Sequence, residues 1–169
     1  MAAWVDIASS VVASTVYVDG NLAGRNVTAT LPSVTPITAE LKAGGTIEAP
    51  ITGQVEAMEL SITFGGPDAG MRAILGLKSH EVEIRWVQDV MGNDGRTRQV
   101  GCKAFFRAIP KEVAGLSVEV GSASENEFTF GVSRYQLMVD GAEYLCIDQL
   151  NSIFKVNGTD YAAGIDALL

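Results

Sequence analysis

Between Ala57 and Phe64 every second position is apolar. Met58, Leu60, Ile62 and Phe64 share one parity; Glu59, Ser61 and Thr63 share the other. Successive side chains of an extended strand point to opposite faces, so this alternation predicts a half-buried β-strand. The pattern returns from Val82 to Met91, where Val82, Ile84 and Trp86 stand against Glu83 and Arg85. It returns again from Arg98 to Ala108, with Val100, Cys102, Ala104 and Phe106 opposite Gln99, Lys103 and Arg107, and Phe105 among the polar set. Gly92-Asn93-Asp94-Gly95 between these two runs predicts a hairpin connection. Shorter strands are predicted at Thr15–Asp19, Asn26–Leu31 and Leu116–Val120, with a turn at Asp19-Gly20-Asn21 and a polar loop at Gly121–Asn126. Helical spacing appears at Ala69–Leu77, where Met71, Ile74 and Leu75 fall on one face and Pro67 or Asp68 stands near the start. A helix that short is marginal alone and must pack on a sheet.

The run from Phe128 changes parity. Phe128, Phe130 and Val132 share one face; Tyr135, Leu137 and Val139 share the other. A straight strand in one sheet does not switch its apolar face. A bulge near Gly131–Ser133, or a bend from one packed layer into another, does. Asp140-Gly141 then predicts a tight hairpin, because a type I′ turn needs positive φ at both central residues. Asn157-Gly158 repeats that signal. The fold class expected is mainly β: two packed antiparallel sheets, as a sandwich or barrel, with one short α-helix, in a single domain spanning 1–169.

The segment Thr38–Gly53 has two arms around Gly44-Gly45, like a hairpin, but few large apolar residues. It is expected to stay out of the core, either as a projecting arm that docks on neighbours, spanning about 36–56, or as a mobile loop.

Composition narrows the class. At 169 residues the chain can bury about 70% of its unfolded surface. Apolar residues make up 47% and charged ones 19%, below the roughly 25% usual for soluble domains. Apolar surface left over in this way points to oligomerisation. The net charge is −8, and the basic residues are scattered, with a loose group at Arg96, Arg98, Lys103 and Arg107. Tight nucleic-acid binding needs a basic stripe that releases counterions from phosphates, so it is not expected.

The N-terminal stretch is apolar enough to raise a signal peptide, but it lacks a basic start and Asp6 interrupts it. No apolar run reaches the roughly 18 residues of a membrane-spanning helix. Asn26-Val27-Thr28 and Asn157-Gly158-Thr159 match glycosylation sequons by chance in this reading. Cys102 and Cys146 read as two buried free thiols, with a disulfide between them as the alternative.

Chemistry-bearing constellations are sparse. His80 is the single histidine, in Lys78-Ser79-His80-Glu81-Val82-Glu83, without a nucleophile motif. Glu81 and Glu83, and Asp140, Glu143 and Asp148, read as solvated or interface groups. No phosphate-binding glycine motif occurs. No catalytic, cofactor-binding or metal-ligating residue is therefore expected. Trp86 is expected in the core and Trp4 at an interface.

Four pieces, in order along the chain, carry a family resemblance. They are Thr30-Leu31-Pro32 with Thr35 and Thr38; Lys42-Ala43-Gly44-Gly45 leading to Ala49-Pro50 and Gly53; Leu60-Ser61-Ile62 before Gly65-Gly66; and Met138-Val139-Asp140-Gly141 with Ile147-Asp148, Asn151, Ile153 and Lys155-Val156-Asn157-Gly158-Thr159-Asp160. Together they resemble the major tail tube proteins of contractile-tailed bacteriophages over most of 15–161; residues 1–14 are longer and more apolar than that pattern. The resemblance implies a non-enzymatic virion protein, assembled in the bacterial host cytoplasm, whose homo-hexameric rings stack into a hollow tube. It implies a tail sheath protein, a tape measure protein, a baseplate hub and a tail terminator as partners, and DNA that passes through the lumen without specific binding. It places Lys42, Gly44, Gly45 and Ile47 in an inter-subunit arm. Glu59, Ser61 and Thr63 are then the candidate lumen-facing residues, with Glu83 and Arg85 joining them from a neighbouring strand. Tubes of bacteriocins or other contractile injection systems share the architecture; a monomeric β-barrel ligand-binding protein is the alternative from a different class.

Overall fold

The computed structural model describes residues 6–169, so Trp4 lies outside the described residues. Twelve strands form two antiparallel sheets, one of ten strands and one of two. The first, β1 (Ile7–Val18), turns at Asp19-Gly20 into β2 (Asn21–Arg25). Asn26 adopts φ 52°, and its N–H donates to Ser14 O at 2.7 Å. That left-handed residue removes the start of the predicted Asn26–Leu31 run, and the chain leaves β1 to pair elsewhere as β3 (Thr28–Thr30). The hairpin β4 (Pro36–Lys42) and β5 (Thr46–Val55) is a sheet of its own. Then follow β6 (Met58–Gly65) and α1 (Ala69–Ile74). The long hairpin β7 (His80–Met91) and β8 (Thr97–Pro110) leads to β9 (Glu125–Val139). The chain closes with β10 (Ala142–Asp148), β11 (Ile153–Val156), β12 (Thr159–Asp160) and a 3-10 turn at Asp166–Leu168.

The bend in β9 makes the layers. Arg107 pairs with Arg134 but Ala108 with Val132, so Ser133 is the extra residue of a bulge. Before the bulge β9 pairs with β6 through Val132; after it, with β10 from Arg134. The buried parity switches at the same place, from Phe128, Phe130 and Val132 to Tyr135. One continuous sheet thereby folds over on itself, and a single core fills the space between its two layers. Met58, Leu60, Ile62 and Phe64 of β6 enter it from one layer, and Val16, Val82, Ile84, Ala104 and Phe106 from the other. Phe64 and Phe128 meet edge to face, and Phe106 stacks on Tyr135.

The Asp68 carboxylate caps α1, accepting from Met71 N–H at 2.8 Å. The helix ends at Ile74, short of the predicted Leu77, because Gly76 follows and Leu77 is exposed. It lies so close to β2 that a Cβ at Gly70 would stand 1.6 Å from Ala23 O. At Asp140-Gly141 both residues have positive φ, 51° and 79°, and Val139 pairs with Ala142 across the turn. Glycine carries that conformation without a Cβ clash.

Three further expectations are corrected. The first strand starts at Ile7 rather than Thr15, because its outer half pairs with the far half of β7. Leu116–Val120 is not a strand: side-chain hydrogen bonds with Ser124 and Asn126, rather than a backbone ladder, tie it to its own chain. Trp86 is half-buried, packed at the margin of the core rather than within it.

Candidate assembly surfaces

The outer face of β6 is polar and fine-grained. Its partners place Thr28, Thr63 and Glu127 in one row across the sheet, and Thr30, Ser61 and Thr129 in the next. Glu59 is exposed; Ser61 and Thr63 are half-buried. Ser61 Oγ donates to Glu127, and Lys111 pairs with Glu59. The three predicted residues thus share one face, and the sequence reading missed Thr28, Thr30, Lys111, Glu127 and Thr129 beside them. Register across β3, β6 and β9 brings these together; spacing along the chain does not show it. With Glu59 and Glu127 against Lys111, one negative charge per subunit is left over among these residues.

Glu83 and Arg85 do not join that face. β7 pairs with β1 and β8, not with β6, and β8 and β9 separate the two strands. Both strands turn their buried residues into the same core, so their outer faces look in different directions. Arg85 Nε donates to Glu83 Oε1 at 2.5 Å and its guanidinium lies 4.4 Å from the centre of the Tyr17 ring. Lys103, Phe105 and Arg107 of β8 and Arg134 of β9 continue this second face. It is basic and aromatic where the first is acidic and hydroxyl-lined.

The hairpin of β4 and β5 carries its apolar residues on one side. Leu41 stands opposite Ile47, and Ala39 opposite Ala49, with Ile37 and Ile51 of the same parity. Lys42, Glu40 and Glu48 point to the other side. Leu41 and Ile47 are each 52% exposed, and Gly44 turns the chain at φ 67°. Alternation within the segment carries this signal, although the sequence reading registered only its lack of bulk. An apolar groove of about 300 Å³, lined by Val11, Val27, Ala29, Leu31, Ile84 and Trp86, opens beside β3.

The remaining polar groups hold turns. His80 is buried, with Nδ1 at 2.8 Å from Asp19 Oδ2 and Nε2 at 2.8 Å from Gly76 O. Both partners are acceptors. The His80 hydrogen bond, then the Glu81 N–H, hold the Asp19 carboxylate below its ordinary pKa. Asp148 is buried rather than solvated, because it accepts from Leu150 N–H (3.1 Å), Asn151 N–H (3.2 Å) and Asn151 Nδ2 (2.7 Å) in the turn before β11. Cys102 and Cys146 are buried free thiols, and burial pushes both up in pKa. Among the described residues no three His, Cys, Asp or Glu side chains gather as a metal site would need.

Comparison with known proteins agrees with this architecture. Residues 9–169 match the family model described as phage tail tube protein FII. The fold resembles a chain of the sheath–tube complex of an extracellular contractile injection system, PVC, in its extended state. That chain is 14% identical, with a TM-score of 0.51 over 74% of this chain and 87% of the other. A chain of the sheath/tube terminator of the same system in its extended state is 15% identical, with a TM-score of 0.50 over 74% and 92%. No curated protein matches the chain.

Proposed function

This chain belongs to the phage tail tube protein FII family, a structural subunit of a contractile tail, and from that premise we propose how it builds its tube. Subunits form hexameric rings that stack into a hollow conduit for DNA. The observation that carries this reading is the family match over nearly the whole chain, on a fold whose surface is rich in unpartnered apolar side chains. Ile7, Val11 and Val12 of β1, and Leu41 and Ile47 of the arm, are all exposed. Subunits that join edge to edge remove such open strand edges.

The face of Glu59, Ser61 and Thr63 lines the lumen. Six copies per ring repeat its hydroxyls and its surplus negative charge around the bore, a wall that repels phosphate. The basic face of Arg85, Lys103, Arg107 and Arg134 would hold DNA instead, so it faces outward. The hairpin bearing Lys42, Gly44, Gly45 and Ile47 is the arm that docks on neighbouring subunits. Sheath and terminator proteins are the expected partners, in line with the complexes that contain the similar chains; a tape measure protein occupies the lumen and a baseplate hub seats the first ring during assembly in the host cytoplasm.

Light scattering across a concentration series tests the assembly. Rings and longer polymers are expected, and a monomer at every concentration would overturn it. Glu59→Lys tests the lumen: tubes of normal form with impaired DNA passage are expected. Tubes that carry the lysine on their exterior would refute the assignment.

A further inference from the structure

The segment Val113–Val120 has the composition and alternation of a strand, yet among the described residues no strand pairs with it. It is fastened at alternate residues. Ser117 N–H donates to Asn126 Oδ1 (3.2 Å), and Ser117 O accepts from Ser124 Oγ (2.8 Å). Glu119 O accepts from Ser122 N–H at 3.4 Å. Along a strand, neighbouring residues turn their N–H and C=O to opposite edges. With Ser117 engaged by its own chain, the groups of Leu116 and Val118 belong to the outward edge, and Val120 stands in the turn that Glu119 and Ser122 close. The side chains of Leu116, Val118 and Val120 are exposed as well: Val118 is 90% accessible and Val120 fully so. Leaving three large apolar side chains and a row of ladder groups in water is costly unless a partner covers both.

The chain carries a matching open edge. β2 covers the outer edge of β1 from Thr15 onward, and Asn26 binds Ser14, so among the described residues no strand covers that outer edge at Ile7–Ala13. Ile7, Val11 and Val12 are exposed there. That edge lies at the Met91–Thr97 end of the long hairpin, whereas Val113–Val120 follows Pro110 at the opposite end. β8 has 14 residues, about 45 Å of strand at roughly 3.3 Å per residue. One copy cannot bring the two together. Two copies in head-to-tail order can, and where its rotation does not close a ring such a contact repeats along an axis.

We propose that Val113–Val120 of one copy adds as a strand to the Ile7–Ala13 edge of β1 in the next copy. This contact would link successive subunits along the tube, and it rests on the tube reading above. The test compares amide hydrogen exchange in monomer and assembled tube, alongside the variant Val118→Pro. Among the described residues Val118 N–H has no partner, so proline there should leave the fold intact while removing an outward donor. Exchange at Leu116 and Val118, and within Ile7–Ala13, is expected to slow by about a hundredfold or more on assembly, and Val118→Pro is expected to lose assembly. Tubes in which either segment exchanges as fast as in the monomer, or tubes formed normally by Val118→Pro, would overturn this pairing and leave the tube reading standing. A wild-type chain that never assembles would overturn both.

Discussion

Replacing Leu41 and Ile47 by threonine isolates the arm. The two side chains stand opposite each other in the β4–β5 hairpin, each 52% exposed. Threonine keeps β-propensity, so the hairpin loses one cross-strand apolar pair, worth roughly 0.2–1 kcal/mol. That loss stays local, because the hairpin is a separate two-stranded sheet. Docking on a neighbour is different. Fully burying a leucine or isoleucine side chain is worth roughly 1.5–3 kcal/mol. About half of each is left to bury, so the pair contributes about 2 kcal/mol per docked arm. At about 1.4 kcal/mol per tenfold, the double variant should raise the critical concentration for assembly about 30-fold. Sedimentation measures that concentration, and thermal unfolding followed by circular dichroism checks the subunit. An unchanged critical concentration would refute the docking role of the arm; loss of the subunit's folded state would refute its placement outside the core.

Three further outcomes are expected. Gly70→Ala should destabilise the subunit by about 1–3 kcal/mol in denaturant titration, although alanine is the better helix former, because its Cβ would meet Ala23 O; a stabilised variant would contradict the close packing of α1 on β2. Phe130→Ala should cost about 3–5 kcal/mol by the same assay, since Phe130 is completely buried where β9 pairs with β6. The folded pKa of Asp19 is depressed, so its stabilisation is present above the unfolded value near 3.8 and is lost as pH falls through the lower folded value. The stability gap between wild type and Asp19→Asn should therefore be full at neutral pH and shrink in acid; a gap that widens in acid would contradict the His80 pairing.

Much of this was legible in the chain because alternation reports burial directly. Met58 to Phe64, Val82 to Ile84 and Ala104 to Ala108 went to the core as their parity required, and Val100 and Cys102 are buried on the same side. The parity change after Val132 located the Ser133 bulge, and Asp140-Gly141 located its hairpin. What stayed hidden depends on register between distant strands. Thr28, Glu127 and Thr129 reach the Glu59 face only because β3 and β9 flank β6. Glu83 and Arg85 looked equivalent to Glu59 in alternation, but two intervening strands turn them away. The outer half of β1 and the segment Leu116–Val120 misled for a shared reason: their apolar residues are exposed in the isolated subunit, so burial within one chain does not explain their pattern.

Electron microscopy of the assembled chain, taken to a helical reconstruction, tests the central claim most directly. The account predicts a hollow tube of stacked six-membered rings with Glu59, Ser61 and Thr63 lining the bore. Discrete monomers, or a filament without a lumen, would contradict it.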